Sequence, residues 1–393
     1  MPVATPSGRR GSLLTDPQAR AWIFQLVAVA AVVAFGWFLF HNTQTNLQHR
    51  GITSGFGFLD NTAGFGITQH LIDYQESDSY GRVFWVGLLN TLLVSVIGII
   101  LATLLGFILG VARLSSNWLI RQLATVYIEI FRNIPPLLQI FFWYFAVIGP
   151  LPGPRDSLSL GDLVFLNNRG VQMPAPSASE AYGPFMLALL VALALVVALS
   201  RWARARRLAT GQRFPVFWVS LALIVAIPGA CTLLFGSPVN WSVPELQRFN
   251  IRGGWVVIPE LVSIVMALSI YTAAFIGETV RSGIQAVSGG QTEAAASLGL
   301  RPGQVLRLVI IPQALRVIVP PLTSQYLNLT KNSSLAAAIG YPDMVSLFAG
   351  TVLNQTGQAI EAMAITMSVY LAISLSISML MNAYNARIAL VER

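Results

Sequence analysis

The sequence predicts an all-α integral membrane protein of about eight transmembrane segments, and three observations carry that prediction. Of 393 residues, 55% are hydrophobic and only 10% are charged, where a soluble domain carries roughly 25% charged residues. The apolar residues fall into runs long enough to cross the roughly 30 Å hydrocarbon core as helices. The arginines sit where those runs end, so the net charge of +8 reads as a topology signal and not as a nucleic-acid surface. The single cysteine, Cys231, lies inside an apolar run, which excludes a disulfide framework and a cysteine-based metal site.

Residues 1–20 form a short polar cytosolic arm with Arg9, Arg10 and Arg20, followed by twenty nearly uninterrupted apolar residues at 21–40. No small-residue cleavage site follows, so this is an extra N-terminal transmembrane helix that is retained. Trp22 and Trp37 suit the interfacial belt near its two ends. Residues 41–82 are a polar, glycine-rich periplasmic loop holding His41, His49 and His70, whose irregular spacing does not resemble a ligand set. The phenylalanines of Gly55-Phe56-Gly57-Phe58 and Gly64-Phe65-Gly66-Ile67 either lie flat at the interface or pack within the loop.

A second span covers 83–111 and contains Asn90. A third extends to about residue 148 and is interrupted by Glu129, Arg132 and Pro135-Pro136. Ionised side chains at such depth cost roughly 2.5–3.5 kcal/mol on insertion scales, so they face protein or water. Glu129 and Arg132, three apart on one face, either neutralise each other or act in solute passage. The prolines free backbone carbonyls that protein or water must satisfy.

Residues 150–254 hold two external loops and a hairpin of spans at about 184–200 and 214–235. Between these spans stand Arg201, Arg204, Arg206, Arg207 and Arg213. This charge run reads as a topology determinant with no ligand. Span six runs from 255 to 280, span seven from 313 to about 339, and span eight from 363 to about 388. With both termini cytosolic, the cytosolic segments and the span ends that adjoin them (Arg316 and Arg387) carry 16 arginines and the external segments 6, as the positive-inside rule requires.

Between spans six and seven lies a polar stretch from Gln291 to Pro312, for which the residue types predict helix, turn, helix. Residues 293–298 are mostly strong helix formers, Gly299 suits a C′ position and Pro302 a helical N1 position. Pro312 is expected to stop or redirect the second helix. Span seven is polar along one side: Gln325, Asn328 and Asn332 are spaced by three and four residues and present hydrogen-bond donors and acceptors on one face. Lys331, the only lysine, either attracts an anionic substrate group or pairs with Glu278 or Glu129.

Glu293-Ala294-Ala295, then Gly299, then Val309, Ile311 and Pro312 resemble, at matching spacing, the cytosolic loop of the permease subunits of bacterial ATP-binding-cassette importers. Asn90-Thr91-Leu92-Leu93, Glu129-Ile130-Phe131-Arg132-Asn133-Ile134-Pro135, Glu278-Thr279-Val280-Arg281-Ser282-Gly283-Ile284 and Leu329-Thr330-Lys331-Asn332-Ser333-Ser334-Leu335 look like the polar amino acid permeases. The N-terminal span and inserted hairpin resemble the long, general L-amino acid members. Two departures stand out: many relatives carry an acid where this chain has Asn332, and Ser282 replaces a usual glycine.

This resemblance implies a type I importer permease core of five helices, built from 83–149 and 255–393, plus the extra helix and hairpin, in the bacterial inner membrane. It implies that the loop at 281–312 couples to a dimer of ATP-binding-cassette ATPase subunits through Glu293, Ala294, Ala295, Gly299 and Pro312. A periplasmic amino acid-binding protein and a second, different permease chain complete the implied assembly. Asn90, Glu129, Gln139, Glu278, Gln325, Asn328, Lys331 and Asn332 are the residues expected along the substrate pathway. The chain contains no G-x-x-x-x-G-K-[ST] loop, so it is expected to be no enzyme, to carry no cofactor or metal, and to leave ATP and magnesium to the partner. The competing expectation is an ion-coupled secondary amino acid transporter, which would show duplicated halves and would not need the loop.

Overall fold

The computed structural model describes residues 17–49, 55–161, 163–212, 214–247 and 250–388. The expected basic arm with Arg9 and Arg10, and Arg213, lie outside the described residues.

Helix α1 (Pro17–His49) is apolar on nearly every side over residues 21–40, and none of its membrane-crossing window is buried against the rest of the chain. A helix apolar on every side in water would be unstable, so lipid or another subunit must cover it. After a packed external segment come α2 (Tyr80–Arg113), α3 (Trp118–Asn133) and α4 (Pro136–Phe141), which continues as a π-helix over Phe142–Ile148. The Asn117 side chain caps α3 by accepting from the amides of Leu119 and Ile120 at 2.9 and 3.3 Å, satisfying two of the donors a helix start leaves open.

The third expected span is therefore broken. Pro135 and Pro136 cannot donate to the preceding turn, leaving an amphipathic α3 and a short apolar helix over Pro136–Ile148. Among the described residues, seven helices are long and apolar enough to cross a membrane, against the eight spans expected, and the shorter apolar helix over Pro136–Ile148 stands where the third was placed.

The two inserted loops are more ordered than expected. They contain strands β1 (Leu158–Leu160), β2 (Val164–Asn167), β3 (Gly170–Met173), β4 (Ala175–Ala178), β5 (Val239–Ser242), β6 (Glu245–Gln247) and β7 (Asn250–Arg252), and β8 (Trp255–Val257) takes the expected start of span six, whose helix begins only at Pro259. A four-stranded antiparallel sheet in the order β1-β2-β3-β8 ties the first loop to the second, as does the β4–β5 ribbon, and β6–β7 forms a separate pair. Gly170 has φ +106°, and a Cβ there would lie 2.0 Å from the Val257 carbonyl oxygen, so only glycine fits this strand crossing. Between the loops, α5 (Tyr182–Thr210) and α6 (Val216–Phe235) form the expected hairpin.

Helix α7 (Pro259–Gln285) is the most enclosed span. Its crossing with α2 is closed by small residues. A Cβ on Gly106 would meet Ile276 at 2.5 Å, and one on Gly110 would meet Val280 at 2.6 Å and the Gly277 carbonyl at 2.7 Å. With no side chains between them, the backbones approach closely and gain dispersion contacts, which is how helices associate in lipid. Next come α8 (Gly289–Ser297), α9 (Pro302–Val305), a π-helical turn over Leu306–Ile310, and α10 (Ile311–Asn332). A 3₁₀ segment over Ser333–Ile339, a π-helix over Val345–Val352, α11 (Leu353–Thr356) and α12 (Ala359–Ile388) finish the chain.

Of three hydrophobic clusters among the described residues, the two larger ones join most of the bundle. One joins Val94 and Ala102 of α2 to Ile264, Leu268 and Ile276 of α7 and to Ile318, Leu322 and Leu329 of α10. The other joins Val83 and Val86 to Met344, Phe348, Val352 and Val369, and also takes in Phe58 and Ile67 of the external segment. The glycine-rich loop is thus packed onto the bundle, with Gly55 N–H donating to Glu361 Oε1 at 2.7 Å.

Candidate functional site: the loop between α7 and α10 and the polar face of α10

The loop begins where α7 leaves the bundle. Ser288 precedes α8, whose Glu293 and Ala294 are exposed while Ala295 is buried. Gly299 adopts φ +77°, and its amide bonds back to the Ala296 carbonyl at 2.9 Å while that of Leu300 reaches the Ala295 carbonyl at 3.3 Å. An L side chain in this left-handed conformation is strained, which is why glycine stands here. Arg301 caps α9, its amide bonded by the Gln304 side chain at 3.0 Å, and Pro302 occupies the first turn. Gln313 Nε2 donates to Gln291 Oε1 at 3.1 Å, tying the start of the loop to α10. The outcome is a helix–turn–helix knob with Leu298 at its tip, 81% exposed.

Pro312 does not stop the chain. It falls in the first turn of α10, and the widened π-turn over Leu306–Ile310 precedes it. Because proline is tolerated where the amide has no partner to lose, α9 runs on through the π-turn into α10 and the knob rides on the end of a membrane-crossing helix.

A charge cluster braces the same end of the bundle. The Arg113 guanidinium donates to Glu278 Oε2, and Arg281 Nε donates to the same oxygen at 3.1 Å. Glu129 Oε1 lies 3.6 Å from Arg113. Arg132 stands over the Phe275 ring at 5.2 Å, a cation–π contact. Glu129 thus takes its cation from α2 and not from Arg132 on its own helix, and Glu278 is held by arginines and not by Lys331.

The other expected pathway residues divide into two groups. Asn90 is buried, and its Nδ2 donates to the carbonyls of Gln69 at 2.8 Å and Pro342 at 2.9 Å. Gln139 is also buried; its Nε2 donates to the carbonyls of Phe131 and Ile134, both at 3.0 Å. Those carbonyls are among the ones the proline break releases, so Gln139 repairs the interrupted helix. On α10, by contrast, Asn328 and Lys331 are exposed and Gln325 and Asn332 half-buried. No ion pair joins Lys331 among the described residues.

Sequence reasoning missed the polar knot behind that face. Asp343 is buried, with Oδ1 accepting from the Ser346 amide at 2.8 Å and Oδ2 from the Tyr370 hydroxyl at 3.0 Å. Thr91 Oγ1 accepts from the Met344 amide at 3.0 Å, and the Tyr341 hydroxyl donates to the Asn90 carbonyl at 3.2 Å. Desolvation raises the Asp343 carboxyl to about 6, although its hydrogen bonds pull the other way. The detectable signal was an acid inside an otherwise apolar stretch, next to Pro342.

The model of the family described as "Binding-protein-dependent transport system inner membrane component" matches residues 96–390, taking in the knob, the charge cluster and the polar face. The chain belongs to this family of membrane permeases. It is 63% identical over 385 residues to the protein YhdX of Escherichia coli strain K12, covering 98% of both chains. It is 51% identical over 382 residues to the general L-amino acid transport system permease protein AapQ of Rhizobium johnstonii, covering 97% of this chain and 95% of that one. It is 44% identical over 417 residues to the glutamate/glutamine/aspartate/asparagine transport system permease protein BztB of Rhodobacter capsulatus, covering 98% and 97%.

Proposed function

We propose that this chain is a transmembrane permease subunit of an ATP-driven, binding-protein-dependent importer of polar L-amino acids. The observation that carries the reading is the knob over residues 289–305. It offers Glu293, Ala294 and Leu298 to a partner while running directly into α10, so a push on it is a push on the helix bearing Gln325, Asn328, Lys331 and Asn332. The names of the relatives support amino acids as cargo.

In this account an ATPase dimer closes on ATP outside the membrane and moves the knob. Helix α10 follows, and the polar face turns between the two sides of the membrane. No bond is made or broken on this chain. Lys331 lies exposed in an apolar segment, where an unpaired charge demands water or protein, and the account places it on a path shared with a second, different permease. Lys331 offers a cation to the substrate carboxylate, and the side-chain oxygens of Gln325, Asn328 and Asn332 accept from the ammonium. A periplasmic binding protein delivers the amino acid on the outer side, and both termini lie in the cytosol of a bacterial cell with this chain in its inner membrane.

The energy source tests the reading. In proteoliposomes holding the co-purified complex with its binding protein, uptake of a labelled amino acid is expected to require ATP and to survive a protonophore. Uptake driven by a proton gradient without ATP would instead mark a secondary transporter.

A further inference from the structure

The last turns of α5 and the residues at the start of α6 line a cavity of about 280 Å³, formed by Ser200, Ala203, Arg204, Arg207, Phe214 and Val216. Residues 200, 203, 204 and 207 fall on one helical face, so α5 supplies a basic wall and the start of α6 an apolar floor. The neighbouring Arg206 is otherwise engaged: its guanidinium stands over Trp202 at 5.3 Å and donates to Gln212 Oε1 at 3.0 Å. Gly211, at φ +70°, returns its amide to the Arg207 carbonyl at 3.0 Å, which ends α5 beside the cavity. Arg204 and Arg207 have no ion pair among the described residues. The sequence supplies no nearby neutraliser, since no acidic residue occurs between Glu180 and Glu245.

We propose that this cavity binds the phosphate diester of an anionic membrane lipid. Two guanidiniums on one wall match the oxygens of a phosphate, with paired N–H donors at each contact. The apolar floor at Phe214 and Val216 leads onto the outward faces of α5 and α6, where Val197 and Phe217 are exposed and lipid chains lie. Very little of either helix is buried against the rest of the chain, which leaves these faces open to lipid. The arginine run therefore holds a lipid in addition to setting topology. The proposed orientation only decides which leaflet supplies the lipid; binding itself does not depend on the importer reading.

The test is native mass spectrometry of the purified full-chain complex titrated with phosphatidylglycerol, phosphatidylcholine or inorganic phosphate. Phosphatidylglycerol is expected to bind in preference to phosphatidylcholine. Its affinity is expected to fall about thirtyfold in Arg204→Gln/Arg207→Gln, on the order expected for two basic residues near a lipid surface. Arg121→Gln, a charge change on another helix, should leave the affinity unchanged. Ser200→Phe, which fills the cavity without changing charge, should also lose the lipid, so the result does not hang on one variant. Equal binding by the double glutamine variant, an equal loss in Arg121→Gln, or displacement of the lipid by inorganic phosphate at matching concentration would overturn the proposal.

Discussion

Arg113, at the end of α2, is hydrogen-bonded to Glu278 of α7, and Arg281 secures the same carboxylate one turn further on. This places an ion pair between two spans at the point where α7 gives way to the knob. Removing the acid leaves two cations facing each other in a partly desolvated site. Glu278→Gln is therefore expected to destabilise the protein by about 1–3 kcal/mol, and Arg113→Gln less, because Arg281 remains on the carboxylate. Thermal unfolding midpoints of the two variants and of the double variant give the coupling directly; purely additive losses would remove the brace from the account.

The glycines between α2 and α7 make a sharper stability prediction. Gly106→Ala sets a methyl 2.5 Å from Ile276, and overpacking of this kind costs roughly 1–3 kcal/mol. Gly303→Ala, on α9 with open space around it, is expected to be neutral. Comparing the two in one detergent unfolding series checks the crossing.

Gln139 is expected to behave as a structural residue. Gln139→Leu leaves the Phe131 and Ile134 carbonyls without their donor, at a cost of roughly 1–3 kcal/mol, with no change in which amino acids are transported. An altered substrate preference at unchanged stability would return Gln139 to the pathway.

Asp343 predicts a pH dependence. Its folded carboxyl titrates near 6, raised from 3.8 by burial, so between these values the folded protein holds a proton that the unfolded chain has lost. Stability from this group is full below about pH 4 and declines as pH rises through 6, by about 2–3 kcal/mol in all. Asp343→Asn is expected to flatten that decline in unfolding midpoints measured from pH 5 to 7.5. The Tyr370 hydroxyl and the Ser346 amide donate to the Asp343 carboxyl.

The residues differ in how much they disclosed in advance. Gly299 and Pro302 could be placed from sequence because their roles are local: a left-handed φ and a helix start depend on the residue itself. The polar face of α10 was legible because its spacing is the helix period. Asn90 and Gln139 looked like pathway groups because a polar amide in an apolar run calls for an explanation. Their side-chain amides meet backbone carbonyls, one of them on Pro342, 252 residues from Asn90, a pairing no local pattern encodes. The external strands escaped for a related reason. Each is three or four residues long, and β3 finds β8 only after two spans have intervened.

The most direct test of the central claim is the native mass and subunit composition of the complex that co-purifies with this chain in mild detergent. The account predicts two ATPase copies, this chain and one other permease, with the ATPase lost when Glu293 and Leu298 are both replaced by arginine. The chain alone, or only copies of itself, would contradict it.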